Sequence, residues 1–222
     1  GDAIQEMDFY VGQLMDSLDR FGIADETIVM YLSDNGRGPG RNENQPIRGG
    51  KITTYEGGLR VPAIAYAPEL IQQGVTANTV VHAMDWYPTL ASLAGISIPD
   101  DIILDGRDLS SFLQGKTDDI PEFYKSRSLN AEVPLRRLFD PDKEWKNEFT
   151  KEEYLNAFFY HGSQGALAAV RSGKWKLSLH PEAKLYDLEK DPGENKPITN
   201  LKIRRKLRGM VIQFQREMNK IN

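Results

Sequence analysis

An α/β fold followed by a small antiparallel sheet with a terminal helix is what the sequence predicts, and three observations predict it. Apolar residues at Ile4, Met7, Val11, Leu14, Met15, Leu18 and Phe21 follow helical spacing. They lead into an unbroken run, Ile28-Val29-Met30-Tyr31-Leu32, of the kind that forms a strand buried on both faces, as in a parallel sheet. Beyond the middle of the chain, short β-rich runs between turn residues replace that pattern. The 222 residues carry 28 basic and 32 acidic side chains, a net charge of −4, with 40% hydrophobic residues. That composition supports a core and excludes a disordered chain. No apolar run approaches the ~20 residues of a membrane span. Without a basic excess, no nucleic acid is expected as partner, and no membrane span is expected; Arg204, Arg205, Lys206 and Arg208 read as one solvated helix face.

Taken in order, the first helix stops at Gly22, and Thr27 opens the first strand. That strand ends at Ser33-Asp34-Asn35-Gly36, and the carboxyl ends of strands are where α/β sheets gather ligands. Residues 36–50 read as a loop. A second buried strand is predicted over Ala63-Ile64-Ala65-Tyr66, between Pro62 and Pro68, and a helix from Asp85 to Ala94 with Pro88 in its first turn and Gly95 past its end. The domain boundaries predicted are 1–115 for the α/β part, 116–157 for a charged surface excursion with one short helix over 151–157, and 158–222 for the small sheet and closing helix. Strands are predicted at 158–161, 166–171, 174–179 and 185–188, with Ser172-Gly173 as a two-residue hairpin link. The closing helix carries Leu207, Met210, Val211, Phe214, Met218 and Ile221 on one face.

Two loops carry candidate chemistry. Asp34 and Asn35 are hard oxygen donors suited to Ca²⁺ or Mg²⁺ and poorly suited to zinc, yet Asp-Asn-Gly is also a common turn. Lys51 follows Gly49-Gly50 in a Gly-rich basic stretch, Arg48 to Arg60, where backbone and ammonium can approach an anion closely. The alternative there is a plain connector with solvated charges, or with Glu56 paired to Arg60. Its spacing is not that of a Walker A loop. The absence of cysteine removes disulfides, thiolate zinc sites and any cysteine nucleophile together. His82, ahead of a helix, reads as structural, His180 as exposed, and Trp86 and Trp175 as packing residues.

Ser33-Asp34-Asn35-Gly36, followed by Gly50-Lys51-x-Thr53-Thr54-Tyr55-Glu56-Gly57-Gly58-x-Arg60-x-Pro62, resembles the formylglycine-dependent sulfatases, arylsulfatases in particular. The likeness continues through Asp85 to Leu90 and Gly95, Leu104-Asp105-Gly106, Val170 to Lys176, and Leu185 to Leu188 with Asp191 to Glu194, in the order of that family's C-terminal half. The resemblance implies the C-terminal part of an alkaline-phosphatase-like fold. It implies a Ca²⁺ (or Mg²⁺) site drawing side-chain oxygens from Asp34 and Asn35. It implies that Lys51 holds the substrate sulfate and stabilises charge, and that His161 lines the pocket, though a strand-end histidine is also an ordinary structural residue. Compartment is inherited in the same way: periplasmic or secreted, lysosomal if eukaryotic.

The family's nucleophile is a formylglycine hydrate made from a Cys/Ser-x-Pro-x-Arg motif. The nearest stretch here, Ser97-Ile98-Pro99-Asp100-Asp101, ends in aspartate. No nucleophile is therefore expected in this chain. Formylglycine is expected only in a missing N-terminal half, which becomes the chain's natural partner, and the chain alone is predicted to be inactive. It opens Gly1-Asp2-Ala3-Ile4 with no initiator methionine and runs straight into a helix, so a start further upstream is expected. Self-association through a bared sheet edge is expected of it as a fragment. Two other functions stay open: a phosphatase or phosphodiesterase of the same superfamily, which Asn35 in place of a zinc-binding histidine argues against, and a non-catalytic module that captures sulfated glycans.

Overall fold

The first helix, α1 (Asp2–Phe21), ends as its sequence requires. Gly22 adopts φ 67°, and Gly22 and Ile23 donate their N–H groups back to Asp19 and Leu18, the closing pattern that a left-handed glycine permits. The computed structural model describes residues 1–38, 47–99, 101, 102, 104, 106–118, 149, 150, 153, 154, 156–162, 165–180 and 182–218. Most of the charged excursion predicted at 116–157, part of its short helix, and Asp105 lie outside the described residues.

Strand β1 (Val29–Leu32) pairs with β2 (Ala63–Tyr66), Val29 opposite Tyr66 and Leu32 opposite Ala63. The pairing is antiparallel, which corrects the expectation of parallel, doubly buried strands. Apolar content alone cannot fix strand direction, and here Leu32, Ile64 and Tyr66 keep 39%, 62% and 39% of their surface exposed. Helix α1 likewise buries no residue, so its apolar face stands uncovered. Between the strands lies α2 (Glu56–Leu59), a single helical turn within what the sequence suggested was a connector.

Helix α3 (Trp86–Leu93) and the short α4 (Ser110–Leu113) are joined by buried polar contacts. Asp85, fully buried, takes Arg107 in a two-pronged grip, with Nη2 to Oδ2 at 2.7 Å and Nε to Oδ1 at 3.2 Å, and also accepts the Arg107 N–H at 2.8 Å. Gly106 passes so close to the Met84 carbonyl that a Cβ there has no room.

The C-terminal part is a four-stranded antiparallel sheet in the order β3 (Ala157–His161), β4 (Leu167–Ser172), β5 (Trp175–Ser178), β6 (Lys184–Asp187). The β4–β5 link is Gly173-Lys174, one residue beyond the predicted Ser172-Gly173, because Ser172 still pairs with Trp175 and Gly173 supplies the positive φ of 55°. Helix α5 (Leu201–Met218) packs Leu207, Met210 and Val211 on Val170, Leu177 and Leu185 of the sheet, with Phe214 half-buried beside them. Met218 is 43% exposed, and Ile221 lies outside the described residues. Trp175 packs on the same core, as expected. Among the described residues no helix is long and apolar enough to cross a membrane.

Candidate functional site

Asp34 and Asn35 follow the end of β1, Asp34 exposed and Asn35 half-buried. The Ser33 hydroxyl donates to the Asn35 carbonyl at 2.9 Å and sets the turn. Gly36 is then buried against Gly57 and Gly58 with no room for a Cβ, and its N–H donates to the Gly58 carbonyl at 3.0 Å. The Lys51 N–H in turn donates to the Arg37 carbonyl at 2.7 Å. The two loops singled out in the sequence are thus one hydrogen-bonded unit. Sixteen residues of sequence separate Asn35 from Lys51, and the fold closes that gap.

Around Lys51 the backbone is tightly determined. Thr53 donates its N–H (3.0 Å) and its hydroxyl (2.7 Å) to the Gly50 carbonyl, and the Gly50 N–H returns to the same hydroxyl at 3.1 Å. Arg37 Nε caps the Gly49 carbonyl at 2.8 Å. Ile52 sits at φ 78°, where a β-branched residue costs about 1–2 kcal/mol. Such a conformation persists only where neighbours impose it. Lys51 itself projects an exposed side chain.

Behind this turn lies a buried ionic cluster. Glu56 Oε1 accepts from Lys176 Nζ at 2.9 Å and Glu56 Oε2 from Arg60 Nε at 2.8 Å, with Arg171 at 3.6 Å. The Glu56 N–H donates to Glu194 Oε2 at 2.6 Å, and Glu194 Oε1 lies 3.2 Å from Lys176 Nζ. Burial pushes the Glu56 carboxyl up, but Lys176, Arg60 and Arg171 together outweigh it and hold Glu56 below the usual carboxylate range. At Glu194 burial wins over Lys176, and the carboxyl is pushed up. The alternative reading of a Glu56–Arg60 pair is therefore correct but incomplete.

Residues 1–96 match the family model described as Sulfatase. Steryl-sulfatase of Homo sapiens is 34% identical over 213 residues, covering 90% of this chain and 36% of that protein. Arylsulfatase A of Homo sapiens is 37% identical over 208 residues, 88% of this chain and 38% of that one. The chain belongs with the sulfatases. It spans a little over a third of the length of these two relatives. Among solved structures, the PsFucS1 sulfatase from Pseudoalteromonas sp. matches with a TM-score of 0.67 at 21% identity, over 98% of this chain and 42% of that one. At that identity the likeness speaks for fold, and it bears out the sulfatase, alkaline-phosphatase-like architecture.

Not every expected residue of this sulfatase chain joins the Asp34–Lys51 unit. His161 ends β3 at a register irregularity, exposed, with its ring 5.8 Å from Phe214 of α5. Among the described residues no hydrogen bond or ring contact ties it to residues 48–58. Asp34 and Asn35 offer at most three side-chain oxygens of the six or more that Ca²⁺ takes, and the described residues contain no cluster of three or more His, Asp or Glu able to hold a metal. The donor chemistry fits a hard cation and the donor count is partial. Sequence reasoning missed Lys176 and Glu194 as partners of Glu56, although all three fall inside the family-like stretches. That coincidence was the available signal.

Proposed function

We propose that this chain is the cation-holding and sulfate-gripping part of a sulfate-ester hydrolase, with the attacking group supplied by residues outside these 222. The observation that carries the reading is the hydrogen-bonded union of the Asp34–Asn35 turn with the Lys51 turn, in a chain whose curated relatives are sulfatases. The Asp34 carboxylate and the Asn35 side-chain oxygen would hold Ca²⁺ or Mg²⁺, which would offer positive charge to a sulfuryl group. The Lys51 ammonium binds the sulfate oxygens and offsets the charge that builds on the departing oxygen. A formylglycine hydrate would furnish the attacking hydroxyl, and this chain carries neither a cysteine nor a serine motif ending in arginine to provide it. His161 is a more distant candidate wall residue. An exported protein, periplasmic, secreted or lysosomal, is in keeping with this reading.

The test is hydrolysis of 4-methylumbelliferyl sulfate with Ca²⁺ by this chain beside the protein at its natural length. Activity is expected only in the longer form, and Lys51→Ala should lower its turnover at least a hundredfold while leaving its melting temperature unchanged. Turnover by the 222-residue chain alone, or by Lys51→Ala at the parent rate, would overturn the assignment. A structural neighbour solved with its substrate D-glucosamine-2-N,6-O-disulfate makes sulfated sugars the next esters to try.

A further inference from the structure

Glu56, Lys176 and Glu194 keep 1%, 0% and 0% of their surface exposed. Taking such charges out of water is expensive, and apolar side chains of the same volume often serve a core as well or better. Core stability is therefore a poor account of them, and their position gives a better one. Glu56 lies five residues beyond Lys51. Its N–H and its carboxylate are both taken by the cluster. The same segment is tied to the chain turn at 193–194 by the Arg48 N–H on the Gly193 carbonyl at 3.2 Å, and by Arg48 Nη1 on the Glu194 carbonyl at 3.4 Å. The other end of the turn rests on Arg37. The non-glycine residues with left-handed backbone among those described are Ile52 and Glu194, one on each side of this junction.

We propose that Lys176 is a positioning residue for the anion site: by binding Glu56 and Glu194 together, it clamps residues 48–58 onto the C-terminal sheet so that the strained Lys51–Ile52 turn presents the Lys51 ammonium outward. The proposal rests on the sulfatase reading for Lys51. It assigns the C-terminal sheet a part in anion binding through a strand 120 residues away in sequence. Strain at Ile52 persists only if something imposes it, and the cluster holds, from a fully buried position, the segment that carries that turn.

The test uses the natural-length protein carrying Lys176→Met with Glu194→Gln, which removes one charge of each sign and leaves Glu56 paired with Arg60 and Arg171. Amide hydrogen exchange over 48–58 is expected to quicken at least tenfold, with α5 exchanging as in the parent. Turnover of 4-methylumbelliferyl sulfate should fall at least tenfold, with KM moving less than threefold. Adding Ile52→Gly, which relieves the left-handed strain without touching the cluster, should restore much of both; a purely structural role for Lys176 predicts no such rescue. Unchanged exchange over 48–58, or quickened exchange with parental turnover, overturns the proposal. If the double variant does not fold, Glu194→Gln alone decides, with faster exchange at Glu56–Gly58 expected and parental exchange fatal. Should the parent hydrolyse no sulfate ester, or Lys51→Ala match it, the functional reading fails, and the exchange and rescue measurements still judge the clamp.

Discussion

His82 lies face to face with Phe158 of β3, ring centroids 4.1 Å apart and planes 11° from parallel, so the segment leading into α3 is stacked on the C-terminal sheet. Burial pushes its imidazole down to about 4, with Asp85 opposing and Arg107 and Arg171 reinforcing. The folded protein therefore keeps His82 neutral where the unfolded chain takes up a proton near 6.5. Its contribution is complete above pH 6.5 and is lost as pH falls towards 4, amounting to ~2–3 kcal/mol across that window. Urea unfolding at pH 7 and pH 4.5 should reveal the loss, and His82→Leu should remove most of the difference. Equal pH sensitivity in parent and variant would contradict it. The structural role of this histidine was legible from its place before a helix; its stacking partner, 76 residues away in sequence, was not. Lys51 and Asp34 could be singled out as candidates because glycines and turn residues surround them, but the hydrogen bonds that join their two loops have no local signature. Lys176 could not be, since a lysine in a short strand looks solvated until the fold brings two carboxylates to it.

Helix α3 was readable almost residue for residue, from Pro88 in its first turn to Gly95, at φ 68°, beyond its end. What sequence periodicity could not supply is the Asp85–Arg107 lock that holds the helix to the 106–110 segment, because the pair is separated by 22 residues and neither partner has a local signature. Arg107→Met leaves a buried carboxylate that has lost its cation and should cost about 3–5 kcal/mol in urea unfolding. Replacing both partners, Asp85→Leu with Arg107→Met, should recover part of that. If the single variant loses less than 1 kcal/mol, the lock contributes little to stability. Strand existence was readable too, but strand direction was not. Pairing direction is set by the connection and the neighbours, and neither β1 nor β2 encodes it in its own residues.

Across the whole molecule, apolar surface is distributed unevenly. The C-terminal sheet and α5 enclose a core, whereas α1 leaves Ile4, Phe9, Tyr10, Leu14 and Phe21 more than half exposed. Ile64 of β2 is exposed in the same way. Large apolar side chains left exposed in this number favour association. Light scattering on the 222-residue chain should give a mass that rises with concentration, and Ile4→Lys with Leu14→Lys should return it towards 25.1 kDa. A monomer at every concentration would mean that these faces cover one another in solution. The Gly36–Gly58 and Lys51–Arg37 backbone bonds carry a consequence of their own for the natural-length protein. On the proposed reading, the loop that would hold the cation and the loop that would hold the anion belong to one hydrogen-bonded unit, and any effect of one ligand on the other's affinity must be reciprocal. Whatever factor Ca²⁺ adds to the hold on sulfate, sulfate must add to the hold on Ca²⁺, so each dissociation constant, titrated in the other's presence, reports the same ratio.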